Sequence, residues 1–144
     1  MKIYLAGRLR DPQVREVAEH LREQGFEVFD DWHASHPDAD DKWREYEIER
    51  GRDYATAIQE SEYRKCVRDF DLKHLRQSDV LVVVGPVGKS AANEMGRMDE
   101  LGKPIVWLLE KDPERWDFML DGYIVRSMMG LIEELDWIER KVQG

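Results

Sequence analysis

The chain holds a single cysteine, Cys66, so no internal disulfide can form, and the composition fits a reducing interior. It has no apolar run long enough to cross a bilayer; the longest, such as Val80 to Val84, are the length of a strand. Met1 to Ala6 pass directly into an apolar run without signal-peptide architecture, which points to the cytoplasm. Basic residues are also in short supply: 22 Lys and Arg stand against 31 Asp and Glu, a formal net charge of −9. A field of that sign disfavours a nucleic-acid polymer, whose binding depends on cationic side chains neutralising phosphates. It leaves room for a local cationic patch that holds one small anion. There is no internal repeat and no low-complexity tract.

What remains is ordinary for a globular protein. The 144 residues suit one domain with one core, and 42% hydrophobic with 37% charged content is a soluble composition. Five tryptophans in so short a chain are a slight excess, open to core, interface or stacking roles.

The apolar pattern alternates between strand and helix. Lys2 to Ala6 reads as a strand. Asp11 can cap a helix with Pro12 in its first turn, and Val14, Val17, Ala18 and Leu21 make one apolar face before Gly25 closes it. Glu27 to Phe29 is a second short strand, so the chain opens as a βαβ unit with a parallel pair. The segment from Asp30 to Tyr54 is polar, acidic and aromatic, with a helical stretch expected near Asp41 to Arg50. It reads as an insertion over about residues 31–54, a candidate lid. Ala55 to Gln77 is expected to be helical, with Tyr63, Cys66, Val67 and Phe70 on one face, which makes Cys66 a packing residue. Val80 to Val84 reads as a fully buried strand, Ala91 to Leu101 as a helix, Ile105 to Leu109 as a strand, and Tyr123 to Arg126 as a short edge strand. Leu131, Leu135, Ile138 and Val142 mark a closing helix. The sum is an α/β chain, a doubly wound parallel sheet of about five strands in a three-layer α/β/α arrangement, one domain over residues 1–144. Such sheets bind ligands beyond the carboxyl ends of their strands, where the strand order reverses. In a flavodoxin-like order that crevice lies between the first and third strands, which here end in glycine loops at Gly7 and Gly85.

The loop after the third strand runs from Gly85 to Glu94 and contains Gly88-Lys89-Ser90. A phosphate-cradling P-loop needs a glycine five positions before Gly88; Val83 stands there, inside the strand, so that reading fails on spacing. Glu94 falls about one turn into the following helix, whose N-terminal dipole keeps a carboxylate ionised. An ionised carboxylate aimed into a crevice suits attack on an anomeric carbon; the simpler reading is an acid that supports its own helix. Asp71 can protonate a leaving base or hold a sugar hydroxyl, or be a solvated helix acid. Ser78 and Asp79 are expected to shape a turn. Arg8 and Arg10 can clamp a 5′-phosphate or be exposed loop arginines. Tyr4 can orient a crevice carboxylate or pack as a core phenol, and Trp32 can stack on a base or pin the insertion. His33 and His36 sit three apart without a third ligand group, so no metal and no cofactor are expected.

Taken together these stretches resemble the nucleoside 2-deoxyribosyltransferase family, which includes the 2′-deoxynucleoside 5′-phosphate N-hydrolases. The resemblance is carried by Ile3-Tyr4-Leu5-Ala6-Gly7, by Asp71-Leu72 with Leu75 and Ser78-Asp79, by Ser90 with Glu94-Met95-Gly96, and by Leu101-Gly102-Lys103-Pro104. It implies that Glu94 attacks C1′ and holds the sugar covalently, that Asp71 serves the leaving base or the sugar, and that Tyr4 orients Glu94. It further implies that Gly7, Arg8, Leu9 and Arg10 receive the sugar and its phosphate, with Gly88 and Ser90 in the facing loop, and that the working form is a homodimer or larger. The chain departs from the family at Gly88, where the phosphate hydrolases place serine, at Ser90 and Ala92, where some members have glycine, and in its long insertion. The expected activity is cleavage or exchange of the N-glycosidic bond of a small nucleoside or nucleotide. The competing readings are a nucleotide-binding sensor without turnover and an unrelated partner domain of the same architecture.

Overall fold

The computed structural model describes residues 1–8, 11–30, 45, 47–116 and 120–144, with Tyr63 as backbone only. Its elements are β1 (Lys2–Ala6), α1 (Pro12–Glu23), β2 (Glu27–Phe29), α2 (Tyr54–Glu60), α3 (Glu62–Gln77), β3 (Val80–Val84), α4 (Lys89–Glu100), β4 (Ile105–Leu108), β5 (Tyr123–Val125) and α5 (Met128–Gln143). Internal contacts group Met1–Asp30 with Leu75–Gly144 in a first unit, and Asp31–His74 in a second.

The first unit is a five-stranded sheet in the order β2-β1-β3-β4-β5, parallel throughout. This is the flavodoxin-like order expected from the alternating pattern. A central parallel strand is covered on both faces, which explains why β3 is an unbroken run of valine and leucine, every residue of it buried. The step from β1 to β2 and the step from β3 to β4 run in opposite directions across the sheet. With right-handed crossovers, α1 and α4 therefore pack on opposite faces.

Helix boundaries follow local chemistry. The Asp11 carboxylate accepts the Gln13 N–H at 2.9 Å and Pro12 occupies the first turn; at the other end Gly25 turns at φ 92°. Val14, Val17, Ala18 and Leu21 are the buried stripe of α1, as their spacing requires. Ser127 caps α5 by accepting the Gly130 N–H at 3.1 Å, and Leu131, Leu135 and Ile138 bury its inner face, while Val142, grouped with them by spacing, is exposed in the last turn. Between β4 and β5 no helix is present among the described residues. The Trp116 ring instead lies 4.8 Å from the buried Trp107 ring, and the Trp107 indole N–H donates to the Asp121 carbonyl at 3.0 Å.

The segment from Ala55 to Gln77 differs from expectation in two respects. Ala55 to Gln77 is not one helix but two, broken at Ser61, which is extended (φ −66°, ψ 111°). The Ser61 N–H closes α2 on the Ala57 carbonyl, and its hydroxyl accepts the Arg64 N–H at 3.2 Å, so one serine ends one helix and opens the next. Asp53 starts α2 by accepting the Thr56 N–H at 2.7 Å, which holds the Asp53 carboxyl below its usual value. The buried face of α3 is also not the expected one. Cys66 is exposed rather than packed, Val67 and Phe70 are half-buried, and Leu72 and Leu75 carry the burial of α3.

Candidate active site

The site expected from the topology lies where β1 and β3 end and α1 and α4 diverge to opposite faces. At Gly7 an added Cβ would meet Val14 Cγ2 at 2.5 Å and the Val84 carbonyl oxygen at 3.3 Å, so this glycine lets α1 begin hard against the sheet. Gly85, at φ 65°, turns the chain out of β3. Because Gly7 points toward α1, strand alternation puts Leu5 and Ile3 on that face and Tyr4 on the other. Tyr4 is fully buried, its ring 5.1 Å from that of Phe29, its register partner on β2, and its hydroxyl is shielded from solvent.

Glu94 reaches the same face from α4. It sits three residues after Ala91 and four before Met98, both buried, so it lies on the helix stripe that meets the sheet. Glu94 is half-buried, with Oε2 cut off from water. The phenol of β1 and the carboxylate of α4 are thus two shielded polar groups assigned by this alternation to one side of the sheet. Asp71 belongs to the second unit. It lies on α3, half-buried, and its Oδ1 is shielded as well.

The loop residues are less enclosed. Arg8 is exposed, and its carbonyl accepts the Asp11 N–H at 3.0 Å. Gly88 is the N-cap of α4, without a side chain to bond the first turn, and Ser90 is exposed beside it. Leu9, Arg10, Trp32, His33 and His36 fall outside the described residues, as does most of the helical stretch expected near Asp41 to Arg50. Asp79 shapes the entry to β3: its carboxylate accepts the Lys2 N–H at 2.7 Å and its own N–H donates to the Lys2 carbonyl at 2.8 Å. Among the described residues no group of three His, Cys, Asp or Glu gathers to hold a metal.

Three polar side chains make contacts that were not foreseen in the sequence. Gln13 Nε2 donates to Glu110 Oε1 at 3.3 Å, tying the start of α1 to the exit of β4. Lys103 Nζ donates to the carbonyls of Arg76 and Ser78 at 2.6 and 2.7 Å. Glu47 is completely buried beside Arg52. None of these carried a signal in the sequence; Gly51-Arg52-Asp53 marks a helix stop joined to a helix start but not the burial of Glu47.

The architecture has solved counterparts. A 2-deoxyribosyltransferase from Bacillus psychrosaccharolyticus superposes with a TM-score of 0.60 at 21% identity, over 91% of this chain and 90% of the other. The chain shares that enzyme's fold, a five-stranded parallel sheet of the flavodoxin-like kind flanked by helices. The CMP N-glycosidase of Clostridium botulinum matches with a TM-score of 0.50 at 16% identity, over 94% of this chain and 99% of the other. No protein-family model matches the chain, and no curated protein does. No helix among the described residues is long and apolar enough to cross a membrane.

Proposed function

We propose that this protein cleaves or exchanges the N-glycosidic bond of a 2′-deoxynucleoside, a nucleoside or the corresponding 5′-monophosphate. One observation supports the reading: Tyr4 on β1 is buried and Glu94 on α4 carries a solvent-shielded Oε2, in a chain that shares the fold of a 2-deoxyribosyltransferase. The two solved counterparts, a transferase and an N-glycosidase, support the reaction class.

In this mechanism the Glu94 carboxylate attacks C1′, the C1′–N bond breaks, and its electron pair leaves with the base. Asp71 gives that base a proton. The sugar remains as an ester on Glu94 until a second base or water attacks C1′ and restores the carboxylate, so configuration is retained over two displacements. Tyr4 orients Glu94 and stabilises its charge. Gly7, Arg8, Leu9 and Arg10 on one side, with Gly88 and Ser90 on the other, receive the sugar and any phosphate, and Trp32 stacks on the base. The chemistry calls for no cofactor. The proposal includes a single 144-residue domain, a cytoplasmic location and a homodimer or larger assembly. Tyr123 and Ile124, exposed on the edge strand β5, are in keeping with subunit contact.

The experiment is incubation with a panel of nucleosides and monophosphates, with and without a second base, followed by chromatography of the released bases. Base release that needs a second base marks a transferase; release without one marks a hydrolase. No release from any member of the panel rejects the proposal.

A further inference from the structure

The outer flank of α5 carries a charge pattern with its own symmetry. Trp137 stands on it, 46% exposed. Glu133 and Glu134 lie four and three residues before Trp137, and Arg140 and Lys141 lie three and four residues after it. Along one helix Glu134 is about 9 Å from Arg140 and Glu133 about 12 Å from Lys141, beyond the three- or four-residue spacing at which helix side chains meet. Among the described residues none of the four makes an ion pair within the chain. Lys141 Nζ is held instead 3.9 Å from the centre of the Trp137 ring. The opposite flank is engaged within the chain, since Glu139 Oε1 pairs with the Met1 amine at 3.4 Å.

The Trp137 stripe overhangs the edge of the sheet. Gly130 lies two turns before Trp137 on the same stripe, and a Cβ added at Gly130 would stand 3.6 Å from Val125 Cβ on β5. Tyr123 is two residues before Val125, so it shares that face of β5, and it is 58% exposed. The Trp137 flank and the Tyr123 side of β5 therefore form one exposed margin at the end of the sheet. Among the described residues no further strand pairs with β5 there.

We propose that this margin is a two-fold interface with a second copy of the chain, in which α5 packs antiparallel to its counterpart about Trp137. A two-fold contact sets residue i against j and j against i, so its surface must be complementary to itself. An axis through Trp137 brings Glu133 opposite Lys141 of the second copy and Glu134 opposite Arg140 of the second copy. Each pair forms twice, with the two indoles at the centre. Parallel packing, or an axis moved one turn to Glu134 or Arg140, sets like charges together, so the pattern selects one register. Two chains of formal net charge −9 repel each other elsewhere; this flank, with two acids and two bases, is balanced. The inference rests on the homo-oligomer proposed above, whose surface it names, and not on the glycosyl step.

The test is sedimentation equilibrium of the full chain across a wide concentration range. A basic variant carries Glu133→Lys with Glu134→Lys, and an acidic variant carries Arg140→Glu with Lys141→Glu. The wild type should be a dimer. Each variant alone meets like charges across the axis and should dimerise about tenfold more weakly or worse. An equimolar mixture of the two should associate within about threefold of the wild type, a recovery that also shows both variants to be folded. Trp137→Ala, at an exposed position, should weaken the wild-type dimer about thirtyfold or more, the loss expected of a central tryptophan. A monomeric wild type overturns this interface and the proposed homo-oligomer together. A wild-type dimer that all three variants leave intact, or a mixture that fails to recover, overturns this interface alone. Base release assayed on the same samples bears on the glycosyl reading alone: a dimer that behaves as expected, with no release from any nucleoside, leaves the interface standing.

Discussion

Replacing Gly7 by alanine tests the packing that opens the crevice. The new methyl carbon would stand 2.5 Å from Val14 Cγ2, against about 3.5–4.0 Å for an ordinary carbon contact, so about an ångström must be found. Val14 cannot yield it by turning, because a valine in a helix has one strongly preferred rotamer and this one is buried in the first turns of α1. The Val84 carbonyl, 3.3 Å away on the other side, is backbone. The start of α1 must therefore move, an overpacking cost of about 1–3 kcal/mol. For a domain of this size each kcal/mol shifts the melting temperature by about 3 °C, so thermal unfolding should fall by about 3–9 °C. Gly96→Ala is the matched control. Nothing lies within 4 Å of its added Cβ, and it is inside α4, so the helix should gain up to about 1 kcal/mol. Calorimetry on the two variants decides the matter. A Gly7→Ala protein that melts with the wild type, or above it, refutes the close approach of α1 to β1 and with it the shape given to the crevice.

Other consequences are open to measurement. Lys103→Met removes two charge-assisted hydrogen bonds to the carbonyls at the end of α3 and should lower stability by about 1.5–3 kcal/mol in urea titration; an unchanged midpoint rejects that role. The Asp53 carboxyl is depressed by the Thr56 N–H and hydroxyl, so its contribution is present above the unfolded value near 3.8 and is lost as pH falls through the lower folded value. The melting temperatures of wild type and Asp53→Asn should therefore converge as pH drops below about 4 and stay apart at neutral pH. Tyr4→Phe should keep the fold while cutting base release by about 10–100-fold, the value of a hydrogen bond to a charged group, as followed by chromatography; full turnover would remove Tyr4 from the mechanism.

Much of the sheet was legible from local pattern. Lys2 to Ala6, Glu27 to Phe29 and Val80 to Val84 are apolar runs bounded by strong stop signals, and the strands begin and end there. Asp11 with Pro12, and Gly25, marked both ends of α1 for the same reason. Glu94 was expected about one turn into the helix after the third strand, and α4, which begins at Lys89, carries it there. Ser61 was hidden, since a serine within a helical pattern reads as a solvent-facing residue until its hydroxyl is seen to cap the next turn. The covering of Trp107 by Trp116 depends on how the irregular connection after β4 folds back on the strand, and Glu47 looked like one more acid in an acidic stretch. Burial of that kind is set by tertiary packing, which local periodicity does not record.

The central claim is that Glu94 forms a covalent bond to the sugar. Intact mass spectrometry of the wild-type protein, quenched during turnover without an acceptor base, measures it directly. The account predicts a mass increase equal to one glycosyl group, mapped to the peptide containing Glu94, and neither adduct nor base release in Glu94→Ala. Full turnover by Glu94→Ala, or an adduct mapped elsewhere, would contradict it.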